Sequence, residues 1–245
     1  LRLWKGGEFY INPELDQGFG LANTLGVAGF TSGAAYKVGH DSVYGRLHRA
    51  FLRQTIALGD ASSAVDAGAN QLAGTRPDER ITLTLGKISV VDLFDSNSYA
   101  HDPRADFLNW SIIDGGAFDY AADSWGFSSG AAVEWVRGDW SLRGGVYAMS
   151  KLPNDVTLDG GFGQRQWLAE AERRFSWMGR PGAVRLLGFV TEARVASYAD
   201  ALGQAQAAGQ MQTDLAPLRK FQRKHGLAFN AEQEVVEGVG AFVRY

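Results

Sequence analysis

The sequence predicts an all-β, antiparallel fold, and three observations carry that expectation. Apolar and polar side chains alternate with a period of two along most of the chain. Glycine occupies 31 of 245 positions, beside 14 Phe, 8 Tyr and 7 Trp, with no Gly-X-Y repeat to account for it; the usual glycine share is about 7%. The longest charge-free stretch, 17–36, holds five glycines with Asn23, Thr24 and Ser32, far from the ~20 predominantly apolar residues of a membrane-spanning helix.

Composition removes several classes of function. With 45% hydrophobic residues the chain has enough apolar surface to fold. A net charge of −3 gives no basic field, so no nucleic-acid partner is expected. The absence of cysteine removes disulfides, thiolate metal sites and cysteine nucleophiles. The first residue is Leu1, with no apolar leader behind it, and the last stretch breaks off inside an alternating pattern. A chain lacking residues at both ends is the expectation.

Taken in order, the predicted strands are 1–11, 22–30, 46–58, 80–91, 124–136, a return strand from Trp140 to Met149, 164–175, 183–195, 224–234 and 238–245. In 46–58, Ala50, Leu52, Ile56 and Leu58 oppose Arg49, Phe51, Arg53 and Thr55. In 80–91, Ile81, Leu83 and Leu85 oppose Thr82 and Thr84. The clearest segment is 124–136: Trp125, Phe127, Ser129, Ala131, Val133 and Trp135 form one face, and the other is small or charged. After Arg137-Gly138-Asp139 the alternation resumes with Trp140, Leu142, Gly144, Val146 and Ala148, which reads as a hairpin of two strands of about ten residues. In 164–175, Trp167, Ala169, Ala171 and Phe175 oppose Glu170, Glu172 and Arg174; the facing of 183–195 is ambiguous. That makes about ten strands without a domain linker. Two long stretches interrupt them. Residues 92–123 are dense in Asp, Asn and aromatics, and 197–223 carry an Ala/Gln-rich start and a Thr213-Asp214 cap signal for short helices.

The alternation admits two solvents. In a soluble sandwich the apolar face packs on a second sheet; in a membrane barrel it meets lipid while the polar face lines water. Arg49, Arg53, Glu134, Arg143, Glu170, Glu172 and Arg174 fall mid-strand among small residues such as Gly130, Ala132 and Gly145, which suits a wide wet lumen. Trp125 and Trp135, at opposite ends of one apolar stripe, suit two aromatic girdles. Periodicity leaves both readings open.

A family resemblance bears on the choice. The run Leu85-Gly86-Lys87-Ile88-Ser89-Val90-Val91-Asp92-Leu93-Phe94-Asp95-Ser96-Asn97-Ser98-Tyr99-Ala100-His101-Asp102-Pro103-Arg104 resembles a signature stretch of the carbohydrate-selective porin family of OprB type. Asp106-Phe107-Leu108-Asn109-Trp110, Phe118-Asp119-Tyr120 and Asp123-Ser124-Trp125-Gly126 continue it. Trp4-Lys5-Gly6-Gly7-Glu8, Asn12-Pro13-Glu14, 23–30 and Glu134-Trp135 are similar as well. The resemblance covers nearly the whole chain. It implies an antiparallel transmembrane β-barrel of about 16 strands in the Gram-negative outer membrane, passing small sugars by passive diffusion, with 92–123 folded inward as a constriction loop. Residues 1–245 then form one barrel domain incomplete at both ends. The partners implied are small carbohydrates and outer-membrane lipid with lipopolysaccharide; the oligomeric state stays open, and no cofactor, metal or catalysis is expected.

Within that frame, Asp95, Asp102 and Arg104 are assigned to the eyelet and Arg53, Glu134 and Arg143 to the facing wall. Carboxylates accept from a sugar hydroxyl and guanidinium groups donate to it. Tyr99, Trp110 and Tyr147 are the candidate stacking platforms. Each has a plainer rival: Asp95, Asn97 and Asp102 as turn caps, Tyr99 and Trp110 as loop packing, Arg53 and Arg143 as rungs of an ion ladder with Glu134 and Glu170. Arg219, Lys220, Arg223 and Lys224 read as a solvated loop face or a lipid-A contact. Two other functions remain as alternatives, a soluble or periplasm-facing carbohydrate-binding module and a structural envelope barrel. Glu170 and Glu172, about 7 Å apart along a strand, imitate a glycosidase pair, but Arg174 on the same face disfavours it. The adjacent His101 and Asp102 lack a third ligand at regular spacing for a metal.

Overall fold

In a computed structural model of the chain, residues 1–18, 40–103, 105–107, 109–116, 118–153 and 155–245 are described, and the side chains of His40, Trp110 and Ser111 are not. The predicted strand at 22–30 lies outside the described residues, as does Arg104.

Ten strands form one antiparallel sheet: β1 (Arg2–Trp4), β2 (Gly7–Gly18), β3 (His40–Ala57), β6 (Arg80–Ile88), β7 (Ser128–Arg137), β8 (Trp140–Ala148), β9 (Arg165–Trp177), β10 (Arg180–Val195), β11 (Lys220–Val236) and β12 (Val239–Arg244). Each pairs with its neighbour in chain order, so this is an up-and-down meander, and β1 and β12 remain at opposite edges of an unclosed sheet. A small hairpin, β4 (Ser62–Val65) with β5 (Gly74–Pro77), interrupts the passage from β3 to β6. Among the described residues there are two α-helices, α1 (Trp110–Ile113) and α2 (Tyr198–Ala207). The Ser197 hydroxyl caps α2 by accepting from the Asp200 N–H, and Asp214 caps the short turn that follows by accepting from the Ala216 N–H. No described helix is long and apolar enough to cross a membrane.

From β6 onward, turn lengths differ between the two ends of the sheet; the 58–79 excursion between β3 and β6 lies at the same end as the short turns. Two-residue turns join β7 to β8 and β9 to β10, and at the latter both Met178 and Gly179 have positive φ, as the tight primed turns require. The long connections 89–127, 149–164 and 196–219 all leave from the opposite end. The predicted strand at 1–11 is two strands, because Gly6 turns the chain at φ +73.

Cross-strand register shows which faces the two periodicities make. One face carries the row Ile56, Ile81, Trp135, Leu142, Ala171, Leu186 and Phe229 across seven strands, and the row Leu52, Leu85, Ala131, Val146, Trp167 and Val190. Leu85 is 62% exposed and Leu227 70%, so none of the described residues covers them. The other face carries Thr82, Glu134, Arg143 and Glu170 in one row and Arg80, Ser141, Glu172, Arg185 and Asn230 in the next. The apolar face is outermost and the charged face is the covered one. A sandwich would show the reverse.

The expected girdle is corrected at one end. Trp125 and Phe127 do not continue the outward stripe, because β7 begins only at Ser128. The Asp123 carboxylate accepts from the N–H groups of Trp125 and Phe127, Gly126 takes φ +91, and the resulting turn swings both rings to the inner side, where they are buried. Trp135 keeps its outward place.

Candidate functional site: a long loop docked on the charged face

The loop 92–123 packs onto the inner face along most of its length. Phe94, Phe118 and Ala121 join Leu168, Leu187, Phe189, Tyr147 and Ala228 of the wall in one apolar cluster; burying each phenyl ring contributes on the order of 2 kcal/mol. This explains the ambiguous facing of 183–195. Leu187 and Phe189 point inward beneath the loop while Leu186 and Val190 point outward, so β10 is apolar on both sides at its middle. The inner glycines also have a different use from the one expected. A Cβ on Gly226 would lie 2.6 Å from the Phe189 ring and one on Gly130 2.4 Å from Tyr147, so these glycines seat flat-lying rings rather than widen a lumen.

Polar contacts latch the loop at both ends and in the middle. Arg49 grips Asp92 bidentately at 2.7 and 2.8 Å, and Lys87 meets Asp123 at 2.8 Å. Between them the Asp95 N–H donates to Glu170 (2.7 Å) and the Ser98 N–H to Glu232 (2.6 Å). Asn97 bonds Asn230 at 2.8 Å, the Ala121 N–H donates to Gln166 at 2.8 Å, and Arg244 holds Asp95 and the Ala100 carbonyl. Nearly every polar group on the inner wall of β9 and β11 is thereby used.

Beneath the loop the wall is a charge ladder. Arg80 meets Glu134 at 3.3 Å, Arg143 meets Glu134 and Glu170 at 2.7 Å each and Glu172 at 3.1 Å. Arg185 then bridges Glu172 (2.9 Å) to Glu232 (3.2 Å). Each charge on these rungs faces an opposite one, which is what allows Glu170, Glu172 and Arg185 to be buried at all. Glu170 and Glu172 are both clasped by Arg143, and the Asp95 N–H takes a further oxygen of Glu170.

The part of the inner face that the loop leaves open, on β1, β2, β3, β6 and β7, borders a cavity of about 1690 Å³. Four of the predicted wall and eyelet residues line it: Arg53, Asp102, Glu134 and Arg143. Arg53 differs from Arg80 and Arg143, which are held in ion pairs. Its guanidinium lies over Tyr10 and Phe51, at 5.1 and 5.3 Å from the ring centroids, donates to the Asn70 carbonyl at 2.8 Å, and has no ion-pair partner among the described residues. Tyr10, half-buried and stacked on Phe51 at 4.9 Å, borders the same space; Phe94, Trp125 and Phe127 lie behind it as buried rings, with Arg46 over Trp125 and His48 stacked on Phe127. Burial and the Arg244 charge hold the His101 imidazolium pKa below its ordinary value at the loop rim.

Two predicted residues have another place. Asp95 is 2% exposed and committed to Arg244, Asn230 and the Gly115 N–H, so its carboxylate anchors the loop instead of facing the opening. Tyr147 is fully buried with its ring edge-on to Phe94, which leaves no face for a ligand. Both corrections have one cause: the loop covers β8–β11, and strand parity cannot tell a covered inner position from an open one. Tyr99 lies against Gly240 of β12, away from the cavity, and of Trp110 only its position in α1 is described. In the basic group, Lys220, Arg223 and Lys224 pair with Asp200, Glu192 and Asp119. Sequence reasoning missed the 58–79 excursion, whose Asn70 carbonyl holds Arg53; the positive φ of Asn70 is its one local signal. Arg185 and Glu232 were detectable only once the facing of β10 was known.

The model of the carbohydrate-selective porin, OprB family, matches residues 1–245. Among solved structures, the high-pH structure of Pseudomonas putida OprB is similar, with a TM-score of 0.61 at 16% identity over 94% of this chain. That match covers 50% of the other chain, so this sequence spans about half the length of that protein. At such identity the likeness speaks for the fold. No curated protein matches the sequence.

Proposed function

Because the chain belongs to the carbohydrate-selective porin, OprB family, we propose that it forms part of the wall and constriction of an outer-membrane pore for small sugars in a Gram-negative bacterium. The observation that carries the reading is the inversion of the sheet: an uncovered apolar band on one face, and on the other a charged wall with a long docked loop beside a cavity of about 1690 Å³. Outer-membrane lipid and lipopolysaccharide meet the first face, and water and solute the second. Residues 1–245 act as one domain in this role.

Passage is diffusive and involves no covalent step. A sugar hydroxyl donates to a carboxylate and accepts from a guanidinium, while the C–H face of the ring rests on aromatic carbons. On the open side of the lumen Arg53 is the donor with the most uncommitted capacity, and Asp102 on the loop rim supplies an acceptor. Glu134 and Arg143 set the field of the wall, and the half-buried Tyr10 supplies aromatic carbon beside Arg53. The short-turn end faces the periplasm and the long connections face outward.

Liposome swelling tests the reading. Vesicles holding the full-length protein should swell in glucose faster than in an amino acid of similar size. Arg53→Ala or Asp102→Ala should change the glucose rate while heat-modifiable gel migration stays that of wild type. Equal rates for both solutes would remove sugar selectivity, and an unchanged glucose rate in both variants would remove the residue assignment.

A further inference from the structure

We propose that Glu14, Asp16 and His48 form a binding site for one borderline transition-metal ion of the Zn²⁺ class on the inner wall between β2 and β3. One ligand atom from each lies within 4.8 Å of the other two, close to the spread that ligands at ~2.0–2.2 Å from a common ion span. Glu14 and Asp16 are two apart on β2 and so share a face. His48 joins them through a bulge: Asn12 pairs with Arg49 and Pro13 with Leu47, which leaves His48 as the extra residue of β3. Pro13, having no N–H to offer the ladder, sits at that interruption.

The His48 imidazole is buried, at 1% exposure, and its Nε2 is left without a hydrogen-bond partner among the described residues; Oε2 of Glu14 is 3.4 Å away. Asp16 presents a buried Oδ2 that is likewise unsatisfied. The ring is held in place by stacking on Phe127, at 4.4 Å between centroids and 20° between planes. Nearby cations are engaged elsewhere, Arg49 with Asp92 and Lys87 with Asp123. Leaving such buried groups without partners is unfavourable, and a dication satisfies all three together. One imidazole nitrogen with two carboxylate oxygens favours Zn²⁺, Ni²⁺ or Cu²⁺ over Ca²⁺ and Mg²⁺, which take all-oxygen sets. Through Phe127 the ion would brace the root of the long loop against β3.

The test titrates chelator-stripped, detergent-solubilised full-length protein with Zn²⁺ by calorimetry. One ion per chain should bind, with Kd at least ~100-fold weaker in His48→Ala and Glu14→Gln, since losing even an indirect ligand support costs 10–100-fold; His225→Ala should bind as wild type. Electron paramagnetic resonance of Cu²⁺ on the unmutated protein should show coupling to imidazole nitrogen, a readout that needs no variant to fold. Absence of binding at stoichiometric Zn²⁺, retention in His48→Ala, Ca²⁺ binding of equal strength, or a Cu²⁺ spectrum without nitrogen coupling would each overturn the site in favour of a protonated histidine between two carboxylates.

Discussion

At Arg143 one guanidinium meets Glu134, Glu170 and Glu172, and at Arg53 a second reaches only a carbonyl and two rings. The same residue type, on the same face and one row apart, does two jobs because carboxylates of β7 and β9 close around Arg143, whereas Arg53 has no ion-pair partner among the described residues. Removing the first leaves the buried Glu170 without a cation, while Glu134 keeps Arg80 and Glu172 keeps Arg185; breaking a buried pair on one side typically costs about 3–5 kcal/mol. Arg143→Met is therefore expected to lower the urea midpoint of the refolded protein markedly, whereas Arg53→Ala should cost less than about 1 kcal/mol. Asp114 adds a pH dependence. Burial, with the Asp95 charge beside it, pushes its carboxyl up to about 7, and Arg244 offsets this only in part. The docked loop thus holds that proton more tightly than a free loop would, so docking is strongest in acid. It weakens as pH rises from about 4, the ordinary carboxylate range, to about 7. Hydrogen exchange of the 92–123 amides should quicken across that interval, and Asp114→Asn should flatten the response.

At the scale of the element, the long loop behaves as part of the wall. Phe94 and Phe118 lie in the apolar cluster, its backbone is tied to β9, β11 and β12, and the carboxylates of Asp92 and Asp123 are tied to β3 and β6. Glycines on the strands make the fit possible, since a side chain at Gly226 would occupy the space of the Phe189 ring. Gly226→Val is expected to displace that ring and loosen the loop above it, costing ~1–3 kcal/mol as overpacking does. Faster proteolysis within 92–123, with the sheet's circular dichroism unchanged, is the outcome to look for. Much of this element was legible beforehand: its extent, its order and its inward direction were expected from its aromatics and from family likeness. The identity of its anchors was not. Asp95 and Tyr147 have the residue types of a ligand contact, and only the depth to which the loop sinks onto β8–β11 makes one a latch and the other core.

At the scale of the whole molecule, the sheet presents two solvents with two chemistries. Trp167 stands on the outer face and is 48% exposed, whereas Trp125 is 3% exposed inside. In single-tryptophan variants reconstituted in vesicles with brominated acyl chains, Trp167 fluorescence should be strongly quenched and Trp125 fluorescence little changed. Equal quenching of the two would mean that the outward face does not meet hydrocarbon. The period-two alternation by itself determined that the chain is all-β, roughly where its strands run, and which residues share a face, because side-chain direction along a strand follows from backbone geometry. It could not decide which face meets water, where Trp125 and Phe127 turn inward, or which inner charges stay open. Those depend on what lies across the sheet from each position, and here that is set by a loop more than a hundred residues from some of its contacts, such as Ser98 on Glu232. Local periodicity carries no information about such distant partners, and tertiary packing supplies it.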